Sequence, residues 1–219
     1  MRRRASARDP LLPLASPVRS CASRPGIYTA ALAGTTSRSC PELDYPRRIG
    51  IPRTTGVLLL GGASSRFGRP KALAEFRGER LVDRAWRVLG EAFDVRLAVG
   101  KRHEAPEVPF SVLDDGFAER APIAGVLAGL RASTTVVTVF LPVDCPLVTA
   151  ELLRALATAH AVPQTGPLPG AYDPSHLPEL ERRVAAGTYS LRGVNSRVLD
   201  IDPRLVADAD TPEELERLR

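Results

Sequence analysis

Read from its start, the chain shows no sustained alternation of apolar and polar positions until Gly56. From there, short apolar runs ended by Gly, Pro or Asp take turns with segments whose apolar residues recur every three or four positions, the spacings of strands and helices. GVLLLG at 56–61 predicts a buried parallel strand, and LVDRAWRVLGEAF at 81–93 places Leu81, Ala85, Val88, Leu89 and Ala92 on one helical face. DVRLAVG at 94–100 and FSVLDD at 110–115 predict the next strands. Ile123 to Ala132 follows as a helix of small residues, and TTVVTVFLPVD at 134–144 as a fully apolar central strand. A helix is expected from Thr149 with AHAV at its end, and another from Ser175 to about Ala186 after a Pro/Gly loop. VLDID at 198–202 reads as a strand, and Thr211-Pro212-Glu213-Glu214 opens a last helix. No internal repeat is visible. This alternation predicts an α/β fold of three layers, αβα, around an open, mostly parallel, Rossmann-like sheet, with ligands bound beyond the carboxyl ends of the strands.

Composition divides the chain in two. At 219 residues with 44% hydrophobic and 25% charged residues, one core-forming domain plus a tail is expected. No apolar run approaches the roughly 18 residues a spanning helix needs, so a membrane protein is excluded. The net charge of +5 invites a nucleic-acid reading, yet residues 1–55 hold ten Arg against Asp9, Glu42 and Asp44, which leaves 56–219 slightly acidic. Nucleic acid is therefore not the expected partner. Residues 1–55, rich in Arg, Ser and Pro, are expected to be a disordered extension; a transit peptide, an export signal and a misassigned start are the origins left open. Residues 56–219 are the expected folded domain. Cys21, Cys40 and Cys145 cannot all pair and share no CxxC spacing, so a reducing, cytoplasmic setting is the simpler expectation. Cys145 reads as a small buried thiol.

The strongest chemical signal is LLGGASSRFGRPKAL at 59–73, directly after the first strand. Gly61 and Gly62 let backbone approach a flat or phosphorylated ligand, and amides around Ser64 and Ser65 can form an anion nest. Arg66 adds a planar fork of donors for phosphate oxygens and Lys71 a compact positive charge. The spacing of Gly62, Gly68 and Lys71 fits neither the GxxxxGK[ST] phosphate loop nor the GxGxxG dinucleotide fingerprint. A nucleoside triphosphate is the expected ligand. Asp144 ends the most apolar strand, where a carboxylate needs a cationic partner, and magnesium bridging it to triphosphate oxygens suits that demand.

This loop resembles the LAGGxSxRMGxxKxxL signature of the molybdenum cofactor guanylyltransferases, a branch of the nucleotidyltransferases. RAPIAGVLAGL at 120–130, LPVDCPLV at 141–148 and DADTPEEL at 208–215 continue the likeness, in order, across about 160 residues. Leu60 departs from the usual Ala, Phe67 from Met, and Asp208 and Asp210 from Asn. The resemblance implies a sheet of the nucleotide-diphospho-sugar transferase type and transfer of GMP from GTP to the terminal phosphate of molybdopterin or its molybdenum-loaded form. It implies Arg66, Lys71 and Asp144 as catalytic residues, and Leu60, Gly61, Gly62, Ser64, Lys71, Asp115 and Asp144 at the nucleotide. Mg²⁺ would be held by Asp144, with Asp210 either a second ligand or only a turn residue ahead of the helix. Arg192 would meet the acceptor's phosphate, with Gln164, Thr165 and Ser190 near it, and a molybdoenzyme or insertion protein would receive the product. A cytidylyl or sugar-phosphate nucleotidyltransferase and a non-catalytic nucleotide-binding accessory remain alternatives. Lys101 and Arg102 read as a solvated pair, and His103, His160 and His176 share no metal-binding spacing.

Overall fold

The computed structural model of the protein describes residues 52–61, 67 and 70–219. The expectation of disorder falls on residues 1–55, of which 1–51 lie outside the described residues. In chain order the main elements are β1 (Thr54–Leu60), β2 (Glu75–Phe76), β3 (Glu79–Arg80), α1 (Leu81–Ala92), β4 (Val95–Gly100), β5 (Val112–Asp114) and α2 (Pro122–Ala132). β6 (Val137–Pro142), α3 (Ala150–Ala159), β7 (Val162–Pro163), β8 (Gly170–Tyr172), α4 (Leu177–Ala185), β9 (Val198–Leu199) and α5 (Pro212–Arg217) follow.

The central sheet runs β5-β4-β1-β6-β8, with β8 antiparallel and the others parallel. Successive residues of β1 feed opposite cores, as strand geometry requires. Leu58, flanked in register by Ala98 and Leu141, packs with Leu81, Leu89, Leu153 and Leu156 of α1 and α3. Val57 and Leu59 face the other way and join Phe140 with Ile123, Leu127 and Leu180 of α2 and α4. Both faces of the sheet are thus covered, giving the αβα layering. α2 rests close to the sheet because Gly125 and Gly129 lack side chains: a Cβ would lie 2.8 Å from Leu59 Cδ2 and 2.6 Å from Phe140 Cε1 respectively.

Several boundaries differ from the sequence reading. β1 opens at Thr54, two residues before the expected boundary, because Thr54 and Thr55 already pair with Val137 and Thr138 of β6, and buried Thr55 shares its hydroxyl with that of Thr135 at 2.9 Å. The central strand at 134–144 contracts to β6. The Pro/Gly loop contains β8, whose Tyr172 is buried and donates its hydroxyl to Pro167 O at 3.0 Å. The expected helix from Ser175 is a 3-10 turn, Pro174–His176, leading into α4. The strand at 198–202 is only β9, which pairs with β7 outside the main sheet. β2 and β3 form an unanticipated hairpin whose Arg77 and Gly78 both have positive φ, the turn geometry that matches strand twist.

Candidate functional site

The carboxyl ends of β4, β1 and β6 open into one cleft of about 640 Å³. Its floor needs glycine at position 100, where a Cβ would stand 2.6 Å from Leu60 O on the neighbouring strand. At Gly61 the situation is opposite: the residue lines the cleft, and among the described residues a Cβ there would meet nothing within 4 Å.

The centre of the cleft is a cation between carboxylates. Lys71, in the short 3-10 turn Lys71–Leu73 after β1, donates from Nζ to Asp144 Oδ2 at 3.0 Å and to Asp210 Oδ1 at 2.7 Å. Burial opposes the Lys71 charge, but Asp144 and Asp210 outweigh it and raise the ammonium above its usual range. Burial pushes the Asp144 carboxyl up, against the pull of Lys71, and Asp208 beside it works in the same direction as burial. The closing segment reaches this point because Ala209 N–H donates to Asp144 O at 3.0 Å. Asp210 is not the helix cap: Thr211 caps α5 in a capping box with Glu214, whose carboxylate also takes the Asp210 N–H at 2.7 Å. Cys145 is buried, its thiol pushed well up by burial and by Asp144, as suits an inert core group.

Along the cleft, the β4–β5 end holds Lys101 and Asp115. The solvated reading of Lys101 is overturned: its side chain is buried and donates to Asp115 Oδ1 at 2.7 Å and to Phe117 O. Adjacent strand ends bearing opposite charges are the sequence signal for this pair. Arg102 stays exposed, and its N–H, with that of Gly116, draws the Asp114 carboxyl below its usual range. The opposite end is formed by Thr165, Gly166, Pro167, Leu168 and the exposed Arg192. Gln164 does not join them; both ends of its amide are spent on Ile201.

The structure therefore brings Leu60, Gly61, Lys71, Asp115, Asp144 and Arg192 to one cleft, with Asp210 joined to it through Lys71. Asp208, Arg120 and Glu104 line it too, although the sequence reading assigned the last two no role. Gly62, Ser64 and Arg66 lie outside the described residues. None of the three histidines lines the cleft, and among the described residues no three His, Cys, Asp or Glu side chains form a metal-binding group. Among the same residues no helix is long and apolar enough to cross a membrane.

Residues 56–198 match the family described as the MobA-like NTP transferase domain. A molybdenum cofactor guanylyltransferase from Pseudomonas putida is 33% identical over 156 residues, covering 65% of this chain and 82% of that relative. The structure of molybdopterin-guanine dinucleotide biosynthesis protein A from Archaeoglobus fulgidus superposes with a TM-score of 0.63 at 22% identity, covering 75% of this chain and 96% of that one. A Mycobacterium tuberculosis protein solved as a manganese complex gives 0.52 at 22%, covering 76% and 97%.

Proposed function

The chain belongs to the MobA-like NTP transferase family, and on that premise we propose that it transfers GMP from GTP to the terminal phosphate of molybdopterin, releasing pyrophosphate. The observation that carries this reading is the Lys71 ammonium held between Asp144 and Asp210 at the middle of a cleft with distinct ends. Two strand spacings, about 10 Å, separate the end of β4 from that of β6, which suits a base at Lys101–Asp115 and phosphates at Lys71. Asp115 Oδ1 is occupied by Lys101 and by the Phe117 N–H, which leaves Oδ2 as an acceptor for the donor edge of guanine. The acceptor then enters from the Arg192 end.

Magnesium fits the donor set. Asp144 and Asp210 present hard carboxylate oxygens to one positive centre, and magnesium takes few protein ligands, keeping the rest of its shell for water and phosphate. Asp144 would hold it, with Asp210 as second ligand, and the ion would neutralise charge gathering on the α-phosphate and departing pyrophosphate. Lys71 adds a mobile positive charge on the same phosphates, and the Gly61 floor admits the nucleotide without steric cost. The acceptor phosphate is already anionic at neutral pH, so alignment replaces general-base catalysis.

The test is pyrophosphate release with Mg²⁺, molybdopterin and each nucleoside triphosphate in turn. Release is expected with GTP alone among the four, and Asp144→Asn should lower it by about 100-fold or more while the fold persists. Equal use of CTP would refute the guanylyl reading, and near-normal turnover by Asp144→Asn would refute the role of that carboxylate.

A further inference from the structure

Arg192 is exposed at the acceptor end of the cleft, and among the described residues its guanidinium makes no ion pair. Its backbone, by contrast, is fully engaged. The Arg192 N–H donates to Ser190 Oγ at 3.2 Å, and its carbonyl accepts from Arg183 Nη1 at 2.7 Å. The same Nη1 reaches Ser190 O at 2.8 Å, so one guanidinium on α4 grips the carbonyls on both sides of Leu191. Leu191 is buried against the α2–α4 core, which anchors the loop between the two gripped carbonyls. Downstream, buried Asn195 donates to His160 O at 2.8 Å and Ala171 O at 2.7 Å, tying the far end of the loop to the end of α3 and to β8. Arg183 is itself held: its Nε donates to Glu179 Oε1 at 2.7 Å one helical turn back, and only 17% of its side chain is exposed. Arg182 and Arg183 together hold the Glu179 carboxyl down at about 2, so it stays ionised through the neutral range.

We propose that Arg183 is a positioning residue for the acceptor: from α4 it fixes the loop at 190–192 so that Arg192 meets the acceptor's phosphate as a pre-oriented guanidinium. This rests on the acceptor end assigned above. Gly193, with φ of 73°, ends the gripped stretch in a conformation that other residues seldom adopt, and an exposed loop of this kind loses freedom when it binds an anion. Clamping its carbonyls beforehand removes that cost from the binding step. Only a planar fork can serve two carbonyls and a carboxylate at once; a lysine ammonium has the charge without the reach in three fixed directions.

The experiment compares Arg183→Ala, Arg183→Lys, Glu179→Gln, Arg192→Ala and the Arg183→Ala/Arg192→Ala pair in steady-state guanylyl transfer, with amide hydrogen exchange over 188–194. Arg183→Ala should raise KM for molybdopterin by about 10-fold and leave KM for GTP within about twofold, with faster exchange in the loop. Arg183→Lys should recover little of this, and Glu179→Gln should fall between wild type and Arg183→Ala. In the pair, adding Arg183→Ala to Arg192→Ala should raise the acceptor KM no further, because the first residue acts through the second. Equal rises in both KM values, additive effects in the pair, or unchanged loop exchange would overturn the proposal. An unchanged acceptor KM in Arg192→Ala would overturn it while leaving guanylyl transfer intact. Absence of transfer from GTP to molybdopterin by the wild type would instead overturn the parent reading, and the positioning role with it.

Discussion

Lys71→Met tests the electrostatic centre without relying on any substrate. The substitution keeps the length of the side chain and removes the positive charge that Asp144 meets at 3.0 Å. Only 10% of the lysine side chain and 18% of the aspartate side chain are exposed, so water from the cleft replaces the lost partner at Asp144 only in part. At Asp210, 55% exposed, it does so far more fully. Removing one member of a buried pair costs about 3 kcal/mol at neutral pH, which for a domain of this size lowers Tm by roughly 6–12 °C. The pH dependence carries the stronger check. Burial already raises the Asp144 carboxyl above its unfolded value, and loss of the Lys71 charge raises it further. Between those two values the folded state binds more protons than the unfolded chain, so stability falls as pH rises through the window and returns as pH falls. Thermal melts from pH 8 down to pH 5, without nucleotide or metal, should show the gap between Lys71→Met and wild type narrowing. The double variant Lys71→Met/Asp144→Asn should melt above Lys71→Met at pH 7. A gap that stays constant with pH, or a double variant no more stable than the single one, would show that the pair is not the buried contact described.

Two further outcomes follow from local geometry. Gly61→Val should leave Tm close to wild type, since among the described residues its Cβ meets nothing within 4 Å, yet raise KM for GTP by about 10-fold or more by entering the cleft; unchanged kinetics would remove Gly61 from the proposed nucleotide site. Thr138→Val on β6 deletes a buried hydroxyl that has no hydrogen-bond partner among the described residues, and should stabilise by about 1 kcal/mol, or roughly 2–4 °C in Tm; a lower Tm would mean the hydroxyl is satisfied.

The parts of the fold legible in the sequence are those in which one periodicity runs long enough to dominate. α1 keeps its apolar positions over three turns, and β1 and β6 carry mostly apolar runs because both faces of the sheet are covered. β8 is invisible by the same criterion. Its three residues sit among prolines and glycines, and what makes them a strand is a set of distant contacts: pairing with Thr138–Phe140 and the edge-on packing of Tyr172 against Phe140. Gly170 looks like a loop residue but is required by packing, since a Cβ there would stand 2.5 Å from Pro167 O. The β2–β3 hairpin had a sequence signal, Arg77-Gly78 between the two-residue segments Glu75-Phe76 and Glu79-Arg80, too brief to separate from an ordinary turn.

The site follows the same division. Asp144 was legible because it stands just beyond a strand end, where a charged group after an apolar run has few structural uses, and Lys71 because it closes the Gly-rich, cationic segment that follows β1. Lys101 was misread because its partner, Asp115, is fixed by strand order rather than by sequence proximity: β4 and β5 are neighbours, so the residues just beyond their ends meet 2.7 Å apart. The role of Asp210 turned on one backbone hydrogen bond, Ala209 N–H to Asp144 O, that sequence spacing cannot express. That bond lays the closing segment across the end of β6, and only then can a carboxylate 139 residues away share the Lys71 ammonium with Asp144. The Thr211 capping box fixes where α5 starts and so relieves Asp210 of capping. A residue that reads as a turn position beside a helix is thereby released for the charge balance of the cleft.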